Sequence, residues 1–156
     1  MLPNSKSLVV EVRSYSVNTY LNGFEISEDL TKVEGVYTLA TKLSQIINPP
    51  PSRRIVFVDE SRNTIDDCNF GMFPSMIGTD FPQMNHWYNY PAARHNNGAA
   101  FSYADGHVAA IKWTGTVLKN LEAKGIPGNY TTDLTGPDLN DLRQVQDAMA
   151  LPAGRN

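Results

Sequence analysis

The chain has 156 residues, of which 41% are hydrophobic, and its formal net charge at pH 7 is −3. This length is sufficient for one domain with a hydrophobic core and too short for two, so we expect residues 1–156 to form a single domain. The slightly negative charge argues against nucleic acid as a partner, and no apolar run in the sequence is long enough to span a bilayer.

The first half of the chain predicts two strands with a less defined region between them. Residues 7–18 alternate loosely between apolar and polar side chains, which predicts a strand with one wetted face. Residues 37–47 are compatible with a short helix or with an extended segment, and the prolines that follow end it. Residues 54–58 are rich in β-branched and aromatic side chains and predict a buried strand. We expect residues 59–90 to form a long, ordered loop.

A hairpin is predicted next. The dipeptide Asp105-Gly106 separates two short apolar-rich runs, residues 99–104 and 107–113. An Asp-Gly pair supplies the positive φ angles that a type I′ turn requires, so it is a strong hairpin signal. In that register, Ala104 pairs with His107.

Two helices are predicted after the hairpin. Residues 116–124 suit a short helix, with Gly125 at its C-terminal end. Residues 138–151 predict a longer helix with one apolar stripe, which consists of Leu139, Leu142, Val145 and Met149. Together these elements predict an α+β domain in which a twisted antiparallel sheet is accompanied by a C-terminal helix.

The hairpin segment also carries a motif. His95 is followed, after nine residues, by Asp105-Gly106. This H-x9-D-G spacing resembles the signature of a bacterial family of pseudopilin-like proteins, which are described as associated with prepilin-type processing and are known mainly from planctomycetes, verrucomicrobia and their relatives. Three further segments match the family in its order: Ser-Tyr-x-x-Asn within 13–18, a Pro-Ser, apolar strand and Asp-Glu block at 51–60, and a closing helix at 138–152.

The resemblance implies a fold and a function. The fold is similar to the globular head of a type II secretion pseudopilin, and the function is that of a non-enzymatic, exported or surface-assembled subunit whose head mediates packing or recognition. The expected partners are other pseudopilin or secretion-system subunits, in the periplasm, outside the cell or on its surface. Family members typically begin with a prepilin leader and a long apolar helix, and the chain as given has neither. We therefore expect membrane contact only through such a helix in a longer precursor, which would anchor it in the inner membrane.

Several titratable side chains are candidates for a site. Our favoured interpretation is structural, without a cofactor, and applies to Asp59, Glu60, His95, Asp105, Gly106 and His107. In it, the imidazole of His95 contacts the carboxylate of Asp105 and fixes the turn. Carboxylates with loop carbonyls suit calcium, and one alternative is a calcium site at Asp59, Glu60, Asp66 and Asp67. Imidazoles with a carboxylate suit zinc or iron, and a second alternative is a small metal-dependent hydrolase that uses His95, Asp105 and His107. His86 is a further candidate for such a cluster.

An aromatic patch provides a third alternative, a carbohydrate-binding module that uses Trp87, Tyr88 and Tyr90. Core packing is the favoured interpretation of these three side chains, because Trp and Tyr account for much of the buried area in small domains. An enzyme predicts a deep pocket where the titratable groups converge, whereas a binding module predicts an exposed aromatic shelf, and a pilin-like head predicts neither. The single cysteine, Cys68, is expected to be a semi-buried apolar residue.

Overall fold

The computed structural model describes residues 14–21, 40–65, 68–72, 85–125 and 133–149. In these ranges the fold is α+β, with one five-stranded sheet, two α-helices and a short 3₁₀ helix, Leu43–Gln45. The strands are β1 (Tyr15–Asn18), β2 (Ile55–Asp59), β3 (Asn69–Phe70), β4 (Gly98–Tyr103) and β5 (Val108–Lys112). The helices are α1 (Val117–Lys124) and α2 (Gly136–Met149).

The strands lie in the order β3-β1-β2-β4-β5. The neighbours β1 and β2, β2 and β4, and β4 and β5 are antiparallel, whereas β3 runs parallel to β1. The sheet is therefore mixed, and the expectation of a wholly antiparallel sheet is wrong at this edge. The added strand lies within the stretch expected to be a loop, and its two residues are too few to show a periodic pattern.

Most predicted elements are confirmed within a residue or two. Strand β2 and both helices lie where the sequence predicts them. The predicted strand at residues 7–18 is represented by β1, and residues 7–13 lie outside the described residues. In the ambiguous stretch 37–47, the described part contains the 3₁₀ helix. Within the part of the chain that the structure describes, no helix has the length and apolar character needed to cross a bilayer.

Side chains alternate between the two faces of the sheet, as pleating requires. One row of directly opposed residues faces the core and consists of Ser16, Val58, Phe101 and Ala109. The next row faces the other way and consists of Val17, Phe57, Ser102 and Val108. In this second row Phe57 is 48% exposed and Val108 is 69% exposed. We call this surface, together with Tyr15, the open face.

The helices pack with the inner row of the sheet in one hydrophobic core. Helix α2 contributes three fully buried side chains from its predicted stripe, Leu142, Val145 and Met149. At the centre lies Trp113, whose ring meets the rings of Trp87 and Phe101 edge-on at centroid distances of 6.2 and 6.1 Å. The indole Nε1 of Trp113 donates to the carbonyl of Ala92 at 2.8 Å, so its polar atom is satisfied inside the core.

The two helices are joined by carboxylates. Asp138, in the first turn of α2, accepts hydrogen bonds from the backbone N–H groups of Thr116 and Val117, both at 2.8 Å. Asp141, one turn further along, accepts from the N–H of Gly115 at 2.8 Å. A helix N-terminus has N–H groups without intrahelical partners, and a carboxylate satisfies them well. A Cβ atom at position 115 would lie 2.1 Å from Oδ1 of Asp138, so this close approach requires glycine.

A buried amide connects the two ends of the described chain. Asn18 is fully buried, and its Nδ2 donates to the carbonyls of Ile55 at 2.8 Å and Met149 at 2.9 Å. Its Oδ1 accepts from the N–H of Tyr20 at 2.9 Å. Since a buried amide is stabilising only when its partners are present, Asn18 fixes β1, β2 and the end of α2 in one arrangement.

Candidate functional site

The segment before β4 lies alongside the end of β2. The N–H of Ala92 donates to the carbonyl of Asp59 at 2.8 Å. Asp59 is the last residue of β2, and this pairing brings Arg94 and His95 to its carboxylate. The motif histidine is thus positioned by β2 and by the turn that precedes β4.

That turn has two consecutive residues with positive φ. Its central residues, Asn96 and Asn97, have φ angles of 54° and 61°, and the N–H of His95 donates to the carbonyl of Gly98 at 3.2 Å. Asparagine tolerates positive φ better than other residues that carry a Cβ atom, which explains the Asn-Asn pair. Gly98 follows because a Cβ atom there would lie 2.3 Å from the carbonyl oxygen of Ile111.

The side chains of Asp59, Arg94, His95 and Glu122 form what we call the Asp59 cluster. Nη2 of Arg94 lies 2.6 Å from Oδ1 of Asp59, and Nε2 of His95 lies 3.0 Å from Oδ2. Arg94 also donates to the carbonyl of Glu60 at 2.8 Å and to Oε1 of Glu122 at 3.4 Å. The cluster therefore links the end of β2, the turn before β4, and α1.

The exposure of these groups indicates what the cluster does. The side chain of Asp59 is 1% exposed, whereas those of Arg94 and His95 are 30% and 56% exposed. A carboxylate removed from water needs charged or hydrogen-bonding partners, because its desolvation is costly. Arg94 hydrogen-bonds to Oδ1, His95 approaches Oδ2 at ion-pair distance, and both lie on the solvent side of the carboxylate. The imidazole lies at ion-pair distance from Oδ2 without the alignment of a hydrogen bond.

The expectation that His95 contacts Asp105 is wrong. The two residues lie beyond opposite ends of β4, whose six residues span about 17 Å at the usual rise of ~3.4 Å per residue. Oδ1 of Asp105 instead lies 2.6 Å from Nδ1 of His107. The nine intervening residues of the motif are mostly strand, and they hold its two halves apart.

The hairpin tip also differs from the predicted type I′ turn. Its loop has three residues, and Tyr103 pairs with His107 through an N–H to carbonyl hydrogen bond of 2.9 Å. Ala104 is therefore a loop residue rather than the partner of His107. Gly106 has φ 93°, and its N–H donates to the carbonyl of Tyr103 at 2.9 Å. This is the three-residue hairpin in which a glycine with positive φ closes the turn. The predicted hairpin and the positive φ of Gly106 are therefore confirmed, whereas the two-residue type I′ turn is wrong.

Asp105 and His107 form an exposed pair at this tip. The N–H of His107 donates to Oδ1 of Asp105 at 3.1 Å, in addition to the side-chain contact. The hydrogen bond from the His107 side chain is the main cause that lowers the pKa of Asp105 from its ordinary value of 3.8. On its other side, the His107 ring stacks on Tyr103 with a centroid distance of 4.3 Å.

The residues of the calcium alternative are only partly described. Glu60 is fully buried, and its Oε1 accepts from Nδ2 of Asn89 at 2.8 Å. Asp59 is engaged in the Asp59 cluster. Asp66 and Asp67 lie outside the described residues.

The hydrolase alternative loses its geometric basis. His95 lies with Asp59, while Asp105 and His107 lie together beyond the other end of β4. His86 lies elsewhere, with Nδ1 3.8 Å from Oδ1 of Asp133. Across the five described ranges, no three side chains of His, Cys, Asp or Glu are grouped as a metal site requires.

The aromatic patch divides between core and surface. Trp87 and Tyr90 are 3% and 4% exposed and belong to the core, so their candidacy as ligand-binding residues is wrong. Tyr88 is 57% exposed. Cys68, expected to be semi-buried, is exposed.

Sequence reasoning assigned no role to Arg94 or Glu122, although both belong to the Asp59 cluster. A role for Arg94 could have been inferred, because a basic residue next to the motif histidine can reach the same acidic pair, Asp59-Glu60. Glu122 had none, because it is one of several charged residues on a short helix. Asn18 belongs to the Ser-Tyr-x-x-Asn segment, and its central role depends on contacts that span most of the chain.

Comparison of the chain with protein-family models, with curated proteins and with solved structures finds no match. A functional proposal therefore rests on the contacts described above and on the motif resemblance.

Proposed function

We propose that this chain is a non-enzymatic, exported or surface-assembled subunit whose domain serves as the head of a pseudopilin-like protein. Its partners are other pseudopilin or secretion-system subunits, in the periplasm, outside the cell or on its surface. The starting point is the H-x9-D-G resemblance. The observation that carries the proposal is that the motif residues are engaged in contacts that hold the domain itself together.

Three of the motif residues support different junctions of the domain. Asn18 ties β1 to β2 and α2, and His95 binds the buried carboxylate of Asp59. Gly106 provides the positive φ of the hairpin tip. Motif residues that stabilise the domain are expected in a family whose members share a scaffold and differ at the surface, as the subunits of an assembly do.

The open face supports a role in packing. Phe57 and Val108 belong to one row that crosses the sheet, and Tyr15, 50% exposed, lies on the same face. Grouped apolar side chains on a surface are typical of protein interaction sites. In this proposal the open face packs against a neighbouring pilin-like subunit.

The test is assembly. The chain is fused behind the leader and apolar helix of a pseudopilin and expressed in a bacterium with its prepilin peptidase and secretion machinery. Leader cleavage, membrane sedimentation and recovery in sheared surface fibres are measured. We expect the fusion to be processed, to sediment with membranes and to be recovered in fibres, while the chain without the helix remains outside the membrane fraction.

Two controls make the result specific. An unrelated domain of similar size, fused to the same leader and helix, is expected in membranes but not in fibres. The double variant Phe57→Ser, Val108→Thr is expected to keep the melting temperature of the domain and to lose fibre incorporation. The proposal fails if the wild-type fusion reaches the membrane and is absent from fibres, or if the double variant is incorporated equally well.

A further inference from the structure

A cleft of about 310 Å³ opens beside Tyr88. Its walls come from the turn that follows β2 and from the segment that precedes the Asp59 cluster. Most of the side chains that line it are polar: Arg62, Asn63, Thr64, Ile65, Tyr88 and Asn89. A cleft of this size is at the lower end of the range for small-molecule sites, and its polar lining is unusual for a site that takes an apolar ligand.

The tyrosine ring is supported from behind. A Cβ atom on Gly71 would lie 3.0 Å from Cδ1 and 3.2 Å from Cε1 of Tyr88, so the ring lies against the backbone at this glycine. The neighbouring Asn89 pairs with the same glycine, accepting from its N–H at 2.9 Å and donating its own N–H to its carbonyl at 3.2 Å. One part of the ring therefore lies against the backbone at Gly71, while 57% of the residue's surface remains exposed.

The base of the cleft is fixed by the fold. Nδ2 of Asn89 donates to Oε1 of the buried Glu60 at 2.8 Å and to the carbonyl of Thr64 at 3.2 Å. Nδ2 of Asn63 donates to the carbonyl of Leu121 at 3.0 Å. Asn63 thereby keeps its Oδ1 as an acceptor, and Arg62 is exposed at the rim. A tyrosine, an asparagine and an arginine thus line one cleft.

We infer that this cleft binds an uncharged saccharide, with one pyranose ring stacked on Tyr88. A pyranose has an apolar C–H face and a rim of hydroxyl groups. The ring of Tyr88 suits the face, since an aromatic side chain offers apolar contact area at low entropic cost. Arg62 donates to hydroxyl oxygens and Asn63 accepts from hydroxyl protons. The site therefore matches a hydroxyl group both as acceptor and as donor. A pilin-like head alone predicts no such cleft, so this activity is separate from subunit assembly and does not rest on it.

A small anion is the main competing ligand, because Arg62 carries a positive charge. The two ligands depend on different residues. An anion such as phosphate needs the guanidinium and gains little from the tyrosine ring, whereas a saccharide needs the ring most. Variants at positions 62 and 88 therefore distinguish them.

The test is a titration of the full-length, ¹⁵N-labelled chain followed by NMR. The probes are glucose, N-acetylglucosamine, cellobiose, chitobiose and inorganic phosphate. We expect at least one saccharide to shift the backbone amide signals of residues 62–65 and 88–89 with a saturable curve. Tyr88→Ala should weaken this binding about tenfold or more, the size of one well-made ring contact, whereas Tyr88→Phe should preserve most of it.

The matched control is Tyr15→Ala, which removes a tyrosine of similar exposure from the open face and should leave the titration unchanged. Arg62→Ala, at an exposed position, should weaken saccharide binding by itself and does not depend on the folding of the Tyr88 variants. The inference is overturned if no saccharide moves these signals, or if Tyr88→Ala and Arg62→Ala bind the saccharide as tightly as the wild type. It is equally overturned if phosphate alone binds and only Arg62→Ala abolishes the effect.

Discussion

Nε2 of His95 lies 3.0 Å from Oδ2 of Asp59, at the start of β4 rather than at its hairpin end. The two halves of the H-x9-D-G motif therefore serve two different turns. His95 fixes the turn by which the chain enters β4, and Asp105-Gly106 forms the turn by which it leaves. The nine residues between them are the Asn96-Asn97 pair, the six residues of β4 and Ala104. The spacing of the motif therefore equals the length of β4 plus the three residues that flank it.

The first prediction concerns this contact. His95→Ala should lower the free energy of unfolding by about 0.5–1 kcal/mol, because the buried carboxylate of Asp59 loses a half-exposed ion-pair partner. Chemical denaturation of the wild type, His95→Ala, Asp59→Asn and the double variant measures the loss and the coupling between the two residues. A coupling energy near zero would contradict a stabilising role for the pair.

The same contact predicts how the protein responds to metal ions. The melting temperature of the wild type should be the same in calcium, in zinc and in chelator, and His95→Ala should lower it equally in all three. His86→Ala, a histidine outside the cluster, is the control and should have a smaller effect. If a divalent ion raised the wild-type melting temperature by several degrees and left His95→Ala unmoved, His95 would instead be a metal ligand.

The second prediction compares two glycines. Gly106→Val should lower stability by about 1–2 kcal/mol, because φ 93° is strained for a β-branched residue although no atom lies within 4 Å of the added Cβ. Gly98→Ala should cost about 3 kcal/mol or more, since its Cβ would collide with the backbone of β5. Denaturation curves provide both values. Equal stability of Gly106→Val and the wild type would show that the hairpin tip has another backbone conformation.

The third prediction concerns pH. The pKa of Asp105 is lowered from 3.8, mainly by the hydrogen bond from His107. The stabilisation that this carboxylate provides is therefore present above its unfolded pKa and is lost as the pH falls through the lower, folded value. In an NMR titration of the Asp105 carboxyl carbon, His107→Phe should raise this pKa toward 3.8.

His95→Ala is the discriminating control for that titration, and it should leave the pKa of Asp105 unchanged. A shift in His95→Ala comparable to the shift in His107→Phe would indicate that the two halves of the motif are in contact after all.

The fourth prediction concerns the link between the helices. Asp138→Ala should lower stability by about 1–2 kcal/mol, because the first N–H groups of α1 lose their carboxylate. Amide hydrogen exchange at Thr116 and Val117 should accelerate as well. Asn140→Ala, at an exposed position of the same helix, should change neither, and equal exchange rates in the two variants would contradict the capping role.

Elements with a local signal were predictable. The apolar stripe predicts helix α2, and the run of β-branched residues predicts β2. Both patterns can be recognised within one segment of the sequence. Gly125 ends α1 as expected, with φ 80°. The positive φ at Gly106 was also predictable from the local sequence, since glycine suits that backbone conformation best.

The remaining features depend on partners far away in the chain. Strand β3 has two residues and exists because β1 offers it a free edge. Two consecutive residues with positive φ occur at Asn96-Asn97, whereas Asp105-Gly106 lies in a longer loop in which Tyr103 stacks on His107. These outcomes depend on packing between elements, which neither dipeptide encodes. The Asp59 cluster has the same origin, because a histidine does not specify which of several carboxylates it will meet.

The position of Asn18 has a consequence for the order in which the protein matures. Its Nδ2 needs the carbonyl of Met149, which lies 131 positions further along the chain. Synthesis proceeds from the N-terminus, so the side-chain amide of Asn18 in β1 lacks this partner until α2 has been made. Among the described elements, α2 thus secures β1, and this contact between them can form only after both have been synthesised.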